Sequence, residues 1–252
     1  MSRILLAGES WSTTSIHSKG FDTFTTTHYE EGAGYFIAAL EAAGHEVVFQ
    51  PNHVAADRFP TTAAELDEFD VVVLSDIGSN TLLLPASVFQ KSQRMPNRLQ
   101  VLADWVREGG ALLMVGGYLS FQGIEAKANY RGTALAAVLP VEMEIGDDRA
   151  ECPEGAVTVL TAEHEVTRGI DATWPHLLGY HRLVAKPGAQ VLATANDLPM
   201  LVVDEVGAGR VAAFASDMGP HWLPSEFLAW DGFAALWPQL IDWLAASGNA
   251  AK

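Results

Sequence analysis

Short apolar runs that end in glycine or in polar residues recur along the first half of the chain. They lack the polar alternation of a half-exposed strand, which is typical of parallel strands covered on both faces. We therefore predict four buried strands, at Arg3 to Gly8, Glu46 to Gln50, Val71 to Asp76 and Ala111 to Gly116.

Segments with apolar residues at helical spacing lie between these runs. They predict helices from Gly32 or Gly34 to Ala43, from Ala63 to Glu68, and from Pro96 to Gly109. Alternating strands and helices favour an α/β fold with a doubly wound, mainly parallel sheet. One domain over residues 1–252 suits this length.

The second half of the chain is less regular. Glycines at 207 and 209 predict a hairpin that pairs Met200 to Asp204 with Val211 to Ser216, as an antiparallel addition to the sheet. A long apolar helix is predicted from Glu226 to Ala246. Two polar stretches, 12–31 and Gly146 to Gly155, are predicted as loops. Shorter elements are predicted as a helix end at Leu135 to Leu139 and strands at Ala156 to Leu160 and Gln190 to Ala195.

Charge and composition argue against some classes of binding partner. The net charge of −16 argues against nucleic acid and against an anionic membrane, since both need clustered Lys and Arg. No apolar run reaches the roughly 18 residues of a membrane span. A single cysteine, Cys152, excludes an intrachain disulfide, and with no leader pattern at the start of the sequence we predict a cytoplasmic protein.

Candidate catalytic and binding residues follow the ends of the predicted strands. Carboxyl ends of parallel strands meet in one crevice, so Glu9, Asp76, Tyr118 and Asp217 are expected to share it. Close carboxylates raise one another's pKa and can supply a general acid and a general base. Each of these acids could instead cap the turn that follows its strand.

The turn after the fourth strand holds the strongest signal, because an apolar run ends in Gly116 and Gly117. It resembles a nucleophile elbow that presents Tyr118, a weak nucleophile but a candidate acid or substrate-orienting group. Ser120 is a candidate nucleophile or a helix N-cap. The amides of Gly117, Tyr118 and Leu119 could form an oxyanion hole.

A second group follows the strand that ends at Ser216. Asp217 lies four residues before His221. It could orient the imidazole, contribute two metal ligands together with His221, or simply cap the turn. Trp11 and Trp222 lie in edge segments where an aromatic ring could stack on a ligand. We predict catalytic residues Glu9, Tyr118, Ser120, Asp217 and His221, and ligand-binding residues Ser10, Trp11, Asp76, Gly117, Leu119 and Trp222.

Five segments in order resemble one family. The sequence is similar to cytoplasmic proteins grouped as "putative glutamine amidotransferase" in the class I glutamine amidotransferase-like superfamily, which implies a flavodoxin-like fold. The resemblance rests on Gly8 to Trp11, Lys19 to Asp22, Leu74 to Gly78, Gly116 to Phe121 and Ser216 to Trp222.

The resemblance implies a cysteine at the elbow and a histidine as its base. This sequence has Tyr118 there, and Cys152 lies in an acidic stretch that disfavours the thiolate. We therefore predict a degenerate amidotransferase-like protein that acts on a polar small molecule as a hydrolase or isomerase. A non-catalytic ligand-binding or assembly module is the alternative. No cofactor or metal ion is predicted, and the resemblance together with the apolar C-terminal helix is compatible with a homo-oligomer.

Overall fold

The computed structural model of the chain describes residues 1–247. Its strands, in chain order, are β1 (Arg3–Gly8), β2 (Ser10–Lys19), β3 (Asp22–Glu31), β4 (Glu46–Gln50), β5 (Val71–Ser75), β6 (Ala111–Val115), β7 (Val141–Met143), β8 (Arg149–Leu160), β9 (Thr173–His181), β10 (Leu183–Ala185), β11 (Gln190–Ala195), β12 (Leu198–Val206) and β13 (Gly209–Phe214). The α-helices are α1 (Gly34–Ala42), α2 (Asn52–Arg58), α3 (Ala63–Leu66), α4 (Ser79–Leu83), α5 (Ala86–Phe89), α6 (Arg98–Arg107), α7 (Ser225–Leu228) and α8 (Asp231–Ala245).

A nine-stranded sheet forms the centre of the molecule, in the order β4-β1-β5-β6-β13-β12-β11-β8-β9. The neighbours from β4 to β13 pair in parallel, and those from β13 to β9 pair antiparallel. Every residue of β5 and β6 is buried, as the unbroken apolar runs predict. The predicted α/β fold, mainly parallel with antiparallel additions, is confirmed.

The predicted loop over 12–31 is wrong. It folds into β2 and β3, a two-stranded antiparallel hairpin with a two-residue turn at Gly20 and Phe21. Gly20 has a φ of 66°, and glycine at the first turn position is the pattern of a type II′ hairpin. The Thr and Ser residues suggested a loop because they are polar, whereas the β-branched threonines favour a strand.

The predicted loop from Gly146 to Gly155 is also wrong in its second part, where β8 begins at Arg149. Its partner β9 escaped prediction because residues far apart in sequence form the pair, Arg149 facing His181. The predicted hairpin between β12 and β13 is confirmed, with Leu201 opposite Phe214.

The predicted helix from Glu226 to Ala246 is interrupted. Helix α7 ends at Leu228, and α8 begins at Asp231. One face of α8 is buried, including Phe233, Trp237 and Leu240, so this helix covers its own sheet and gives no support to a homo-oligomer. Within residues 1–247, no helix is long and apolar enough to cross a membrane.

Candidate functional site

Four neighbouring strands of the sheet end at the same edge. Strand β1 leads into Glu9, β5 into Asp76, β6 into the Gly116–Gly117 turn, and β13 into Asp217. Because these strands are parallel neighbours, the residues that follow them meet at one place, as the sequence predicts. Three acids and the Tyr118 turn therefore face a common region.

Glu9 is the most enclosed of these acids. Its backbone has a φ of 45°, and its amide donates to the Ser75 carbonyl at 2.9 Å. The Ser75 hydroxyl donates to Glu9 Oε1 at 2.5 Å. A side chain at Gly32 would place its Cβ 2.7 Å from Glu9 Oε2, so glycine is needed there. Burial, and then the charges of Asp217 and Asp76, raise the pKa of Glu9 well above its usual value.

Asp76 connects the end of β5 to the turn after β6. Its Oδ1 accepts a hydrogen bond from the Leu119 amide at 2.6 Å, and its own amide donates to Ser120 Oγ at 3.0 Å. Burial and the charge of Asp217 raise its pKa to about 6, against the opposing effect of the Leu119 amide. The Cβ of Asp76 lies 2.9 Å from the position that a Cβ on Gly117 would take, so Gly117 permits the close approach.

Asp217 and His221 form an open pair. Asp217 is buried, its Oδ1 accepts from the Met218 amide at 2.7 Å, and its Oδ2 lies 3.7 Å from His221 Nδ1. Half of the His221 side chain is exposed. Burial raises the pKa of Asp217, and contact with Asp217 raises the pKa of His221.

Backbone strain marks the same residues. Glu9, Asp76 and His221 have φ angles of 45°, 43° and 121°, in a region that residues other than glycine rarely adopt. Strained conformations of this kind cost about 1–3 kcal/mol each and cluster at functional sites. Seven other described non-glycine residues, Asn196 and Asp197 among them, also have positive φ, so the functional assignment rests on the positions of the side chains.

The elbow differs from the predicted one because no α-helix follows it. Tyr118 is 38% exposed, and burial and Glu151 raise the pKa of its phenol. Ser120 donates to the Gly116 carbonyl at 3.2 Å and has no histidine among its described hydrogen-bond partners. These contacts fix the turn and give no support to a Ser120 nucleophile. The Leu119 amide is already bound to Asp76, so it is not free for an oxyanion.

Aromatic rings enclose the exposed side of His221. The Trp11 and Tyr118 rings lie 5.0 and 5.9 Å from the His221 ring. Trp222 is buried beside Tyr118, and its Nε1 donates to Glu151 at 3.1 Å. Trp11 and Tyr118 can thus contact a ligand, whereas Trp222 supports Tyr118 from behind.

Ser10 has a structural role at the site, where it is hydrogen-bonded to Asn52. Its hydroxyl accepts from the Asn52 amide at 2.8 Å, and its carbonyl accepts from Asn52 Nδ2 at 2.5 Å. Asn52 also donates to the Asp76 carbonyl at 3.1 Å, so it connects two strand ends. Sequence reasoning missed Asn52, although it lies only two residues after the end of β4, at the start of α2.

A second aspartate–histidine pair was also missed. His181 and Asp148 are fully buried, with Nδ1 and Oδ1 2.8 Å apart. The other ring nitrogen of His181 lies 2.9 Å from the Gly117 carbonyl. Asp148 also accepts from the Gln122 and Gly123 amides. This pair braces the elbow from beneath and is closed to solvent.

Cys152 is not placed to act as a nucleophile. It is buried on β8, and burial and Glu154 raise the pKa of its thiol. Among residues 1–247, no three His, Cys, Asp or Glu side chains are arranged to hold a metal ion.

Comparison with known proteins agrees with this fold. Residues 3–246 match the family described as "putative glutamine amidotransferase". The chain belongs to this family. Two solved structures of cytoplasmic proteins are similar over 96% of this chain, each with a TM-score of 0.93. One is from Salmonella typhimurium, with 45% identity over 98% of its length, and the other is from Salmonella typhimurium LT2, with 49% identity over 99%. Among curated proteins, none gives a significant match.

Proposed function

We propose that this member of the family binds a polar small molecule at the strand ends and transforms it by acid–base chemistry, as a hydrolase or isomerase without a cysteine nucleophile. One observation carries the proposal: the buried acids Glu9 and Asp217 and the partly buried Asp76 lie together behind a half-exposed histidine, His221. A cluster of acids that burial and mutual repulsion perturb is typical of a catalytic site.

The pKa directions give each group a role. A raised pKa keeps Glu9 protonated to higher pH, so it can donate a proton. Asp217 holds His221 from one side, and the exposed imidazole can exchange a proton with a bound molecule. Crowded carboxylates repel anions, while Trp11 and Tyr118 offer ring faces. A neutral or cationic substrate with polar groups fits this arrangement best.

Metabolite conversion tests the proposal. Purified protein is incubated with a pool of polar metabolites, and consumption is followed by mass spectrometry for wild type, His221→Asn and Tyr118→Phe. The matched control is His176→Asn, an exposed histidine on β9. We expect one substrate whose conversion both site variants slow and the control does not. Conversion that neither site variant changes would contradict this site.

Glutamine hydrolysis has its own test. We expect no release of ammonia from glutamine, because the only cysteine is buried and its thiol pKa is raised. Ammonia release that disappears in Cys152→Ala would overturn the proposal that the protein works without a cysteine nucleophile.

The contact between Leu119 and Asp76 favours a second candidate, a module that binds a ligand without converting it. This amide would be expected to stabilise an oxyanion, and it donates to a carboxylate instead. Isothermal titration would separate the two candidates, since a ligand that binds and is recovered unchanged supports the binding module. We also infer a cytoplasmic location, supported by the similarity to the two cytoplasmic Salmonella proteins.

A further inference from the structure

The hairpin of β2 and β3 has no partner strand in the described structure. Each strand has ten residues, from Ser10 paired with Glu31 to Lys19 paired with Asp22. At roughly 3.3 Å per residue it reaches about 30 Å from the site. We call residues 12–29 the outer arm. A lone two-stranded hairpin is marginal in water, so an arm of this length is expected to pack on something.

The two faces of the outer arm differ in charge. Alternation along the strands places Thr14, Ile16, Ser18, Thr23, Thr25 and Thr27 on one side, which we call the uncharged face. Five of its six residues are β-branched, and Ile16 is 72% exposed. These side chains suit a flat contact between sheets.

The opposite face packs on itself. The His17 ring stacks on Phe24 with centroids 4.6 Å apart, and Lys19 lies over the same Phe24 ring. The two charged residues of the outer arm, Lys19 and Asp22, belong to this side. The uncharged face has no comparable cover.

We propose that the uncharged face is the contact between two copies of this chain, each arm packing against the same face of its partner. This proposal is independent of the proposed function. The outer arm carries one lysine and one aspartate, so it is neutral within a chain of net charge −16. Contact through the arms lets two acidic bodies associate while they stay further apart than the Debye length of about 8–10 Å.

The symmetry of homodimers agrees with a second copy as the occupant. Most soluble homo-oligomers are twofold dimers, in which one self-complementary surface meets itself. A face without charge meets that condition, since no like charges oppose each other. The six residues of the uncharged face are fewer than the roughly 20–30 per partner of a standard interface, so we expect a dimer that dissociates on dilution.

The sequence of the arm also indicates that it is covered. Exposed edge strands are usually protected by lysine or proline in their middle, and here 12–16 and 23–27 contain neither. Uncharged, β-branched strands that stay uncovered are an aggregation hazard. Packing of the two uncharged faces covers these side chains, while the strand edges stay open.

Molar mass in solution tests the proposal, by light scattering or sedimentation over a dilution series. We expect wild type at twice the chain mass of 27.1 kDa and the double variant Ile16→Lys/Thr25→Lys at 27.1 kDa. Val184→Lys is the matched control, because Val184 is a 60% exposed strand residue outside the arm. It should keep the mass of wild type.

A deletion variant provides a second test in case the double lysine variant misfolds. Residues 14–27 are replaced by Asn-Gly, which joins Thr13 to His28 across a two-residue turn. Far-ultraviolet circular dichroism checks that the body stays folded. A deletion variant with the mass of one shortened chain supports the arm contact. Wild type that is monomeric at every concentration, or a deletion variant that stays at twice its own chain mass, would overturn it.

Discussion

Two aspartate–histidine pairs flank the turn after β6, and they have opposite surroundings. His181 and Asp148 are fully buried at 2.8 Å, and every described polar atom of the ring has a partner. Asp217 and His221 are 3.7 Å apart, and half of the histidine is exposed. Residue types alone do not distinguish the pairs.

The difference shows that an aspartate–histidine pair can act on a ligand only if one ring nitrogen of the histidine is accessible. Each ring nitrogen of His181 lies within hydrogen-bond distance of an oxygen, one of Asp148 and one of Gly117. Neither nitrogen is free to contact a ligand. His221 has one nitrogen toward Asp217 and the other side toward solvent, beside acids whose pKa is raised. Only the open pair can exchange a proton with a ligand.

The largest expected effect is on the closed pair. His181→Ala leaves the buried Asp148 carboxyl without its side-chain partner, and removing one member of a buried pair costs about 3–5 kcal/mol of unfolding free energy. Urea denaturation measures this loss, with His176→Ala on the same strand as control. A loss below about 1 kcal/mol would make the two pairs equivalent.

Glu9→Gln is expected to stabilise the protein by about 1–2 kcal/mol at pH 8. The pKa of Glu9 is raised on folding, so ionisation costs more in the folded state and wild-type stability falls as pH rises through that pKa. The amide has no such cost, and its advantage should vanish near pH 4. Melting temperatures at both pH values check this, with exposed Glu41→Gln as control. For Asp76 the window runs from about pH 4 to about 6.

His221→Asn is expected to cost at most about 0.5–1 kcal/mol, because the half-exposed pair is screened by solvent. Its pKa is raised in the folded state, so the contribution to stability is present below the unfolded value and is lost as pH rises. The difference from wild type should therefore shrink between pH 6 and pH 9, as thermal melts would show. A difference that grows with pH would reverse the assignment.

The smallest expected effect on stability is that of Tyr118→Phe, within about 0.5 kcal/mol. The ring keeps its contacts with Arg149 at 4.6 Å and with Trp222. Loss of the hydroxyl should still weaken ligand binding about tenfold if it contacts the ligand. Calorimetric titration against wild type checks this, and equal affinities would limit Tyr118 to packing.

Local pattern was enough to predict part of the site. Glu9, Asp76 and Asp217 each follow an apolar run directly, and parallel strands bring such residues together whatever the loops do. The same reasoning located Tyr118. The fold class followed from the same buried runs.

The remaining contacts of the candidate site depend on pairing between strands far apart in the sequence, and the sequence did not predict them. Asp148 meets His181 only because β8 and β9 pair antiparallel, and nothing local to Asp148 shows that its carboxylate is buried. The arm was missed for a different reason. Prediction from burial assumes that each strand covers a core, and the threonine-rich arm has no core beneath it.

The place of β13 in the sheet affects how the chain is made. Strand β6 has β5 on one side and β13 on the other, and Val115 pairs with Phe214 far along the chain. Closing so long a loop is entropically costly and slow. On the ribosome, the apolar edge of β6 stays open until Phe214 has emerged. We therefore expect the nascent first half to expose an unpaired strand edge that chaperones can bind, and the central sheet to be completed only after β13 is synthesised.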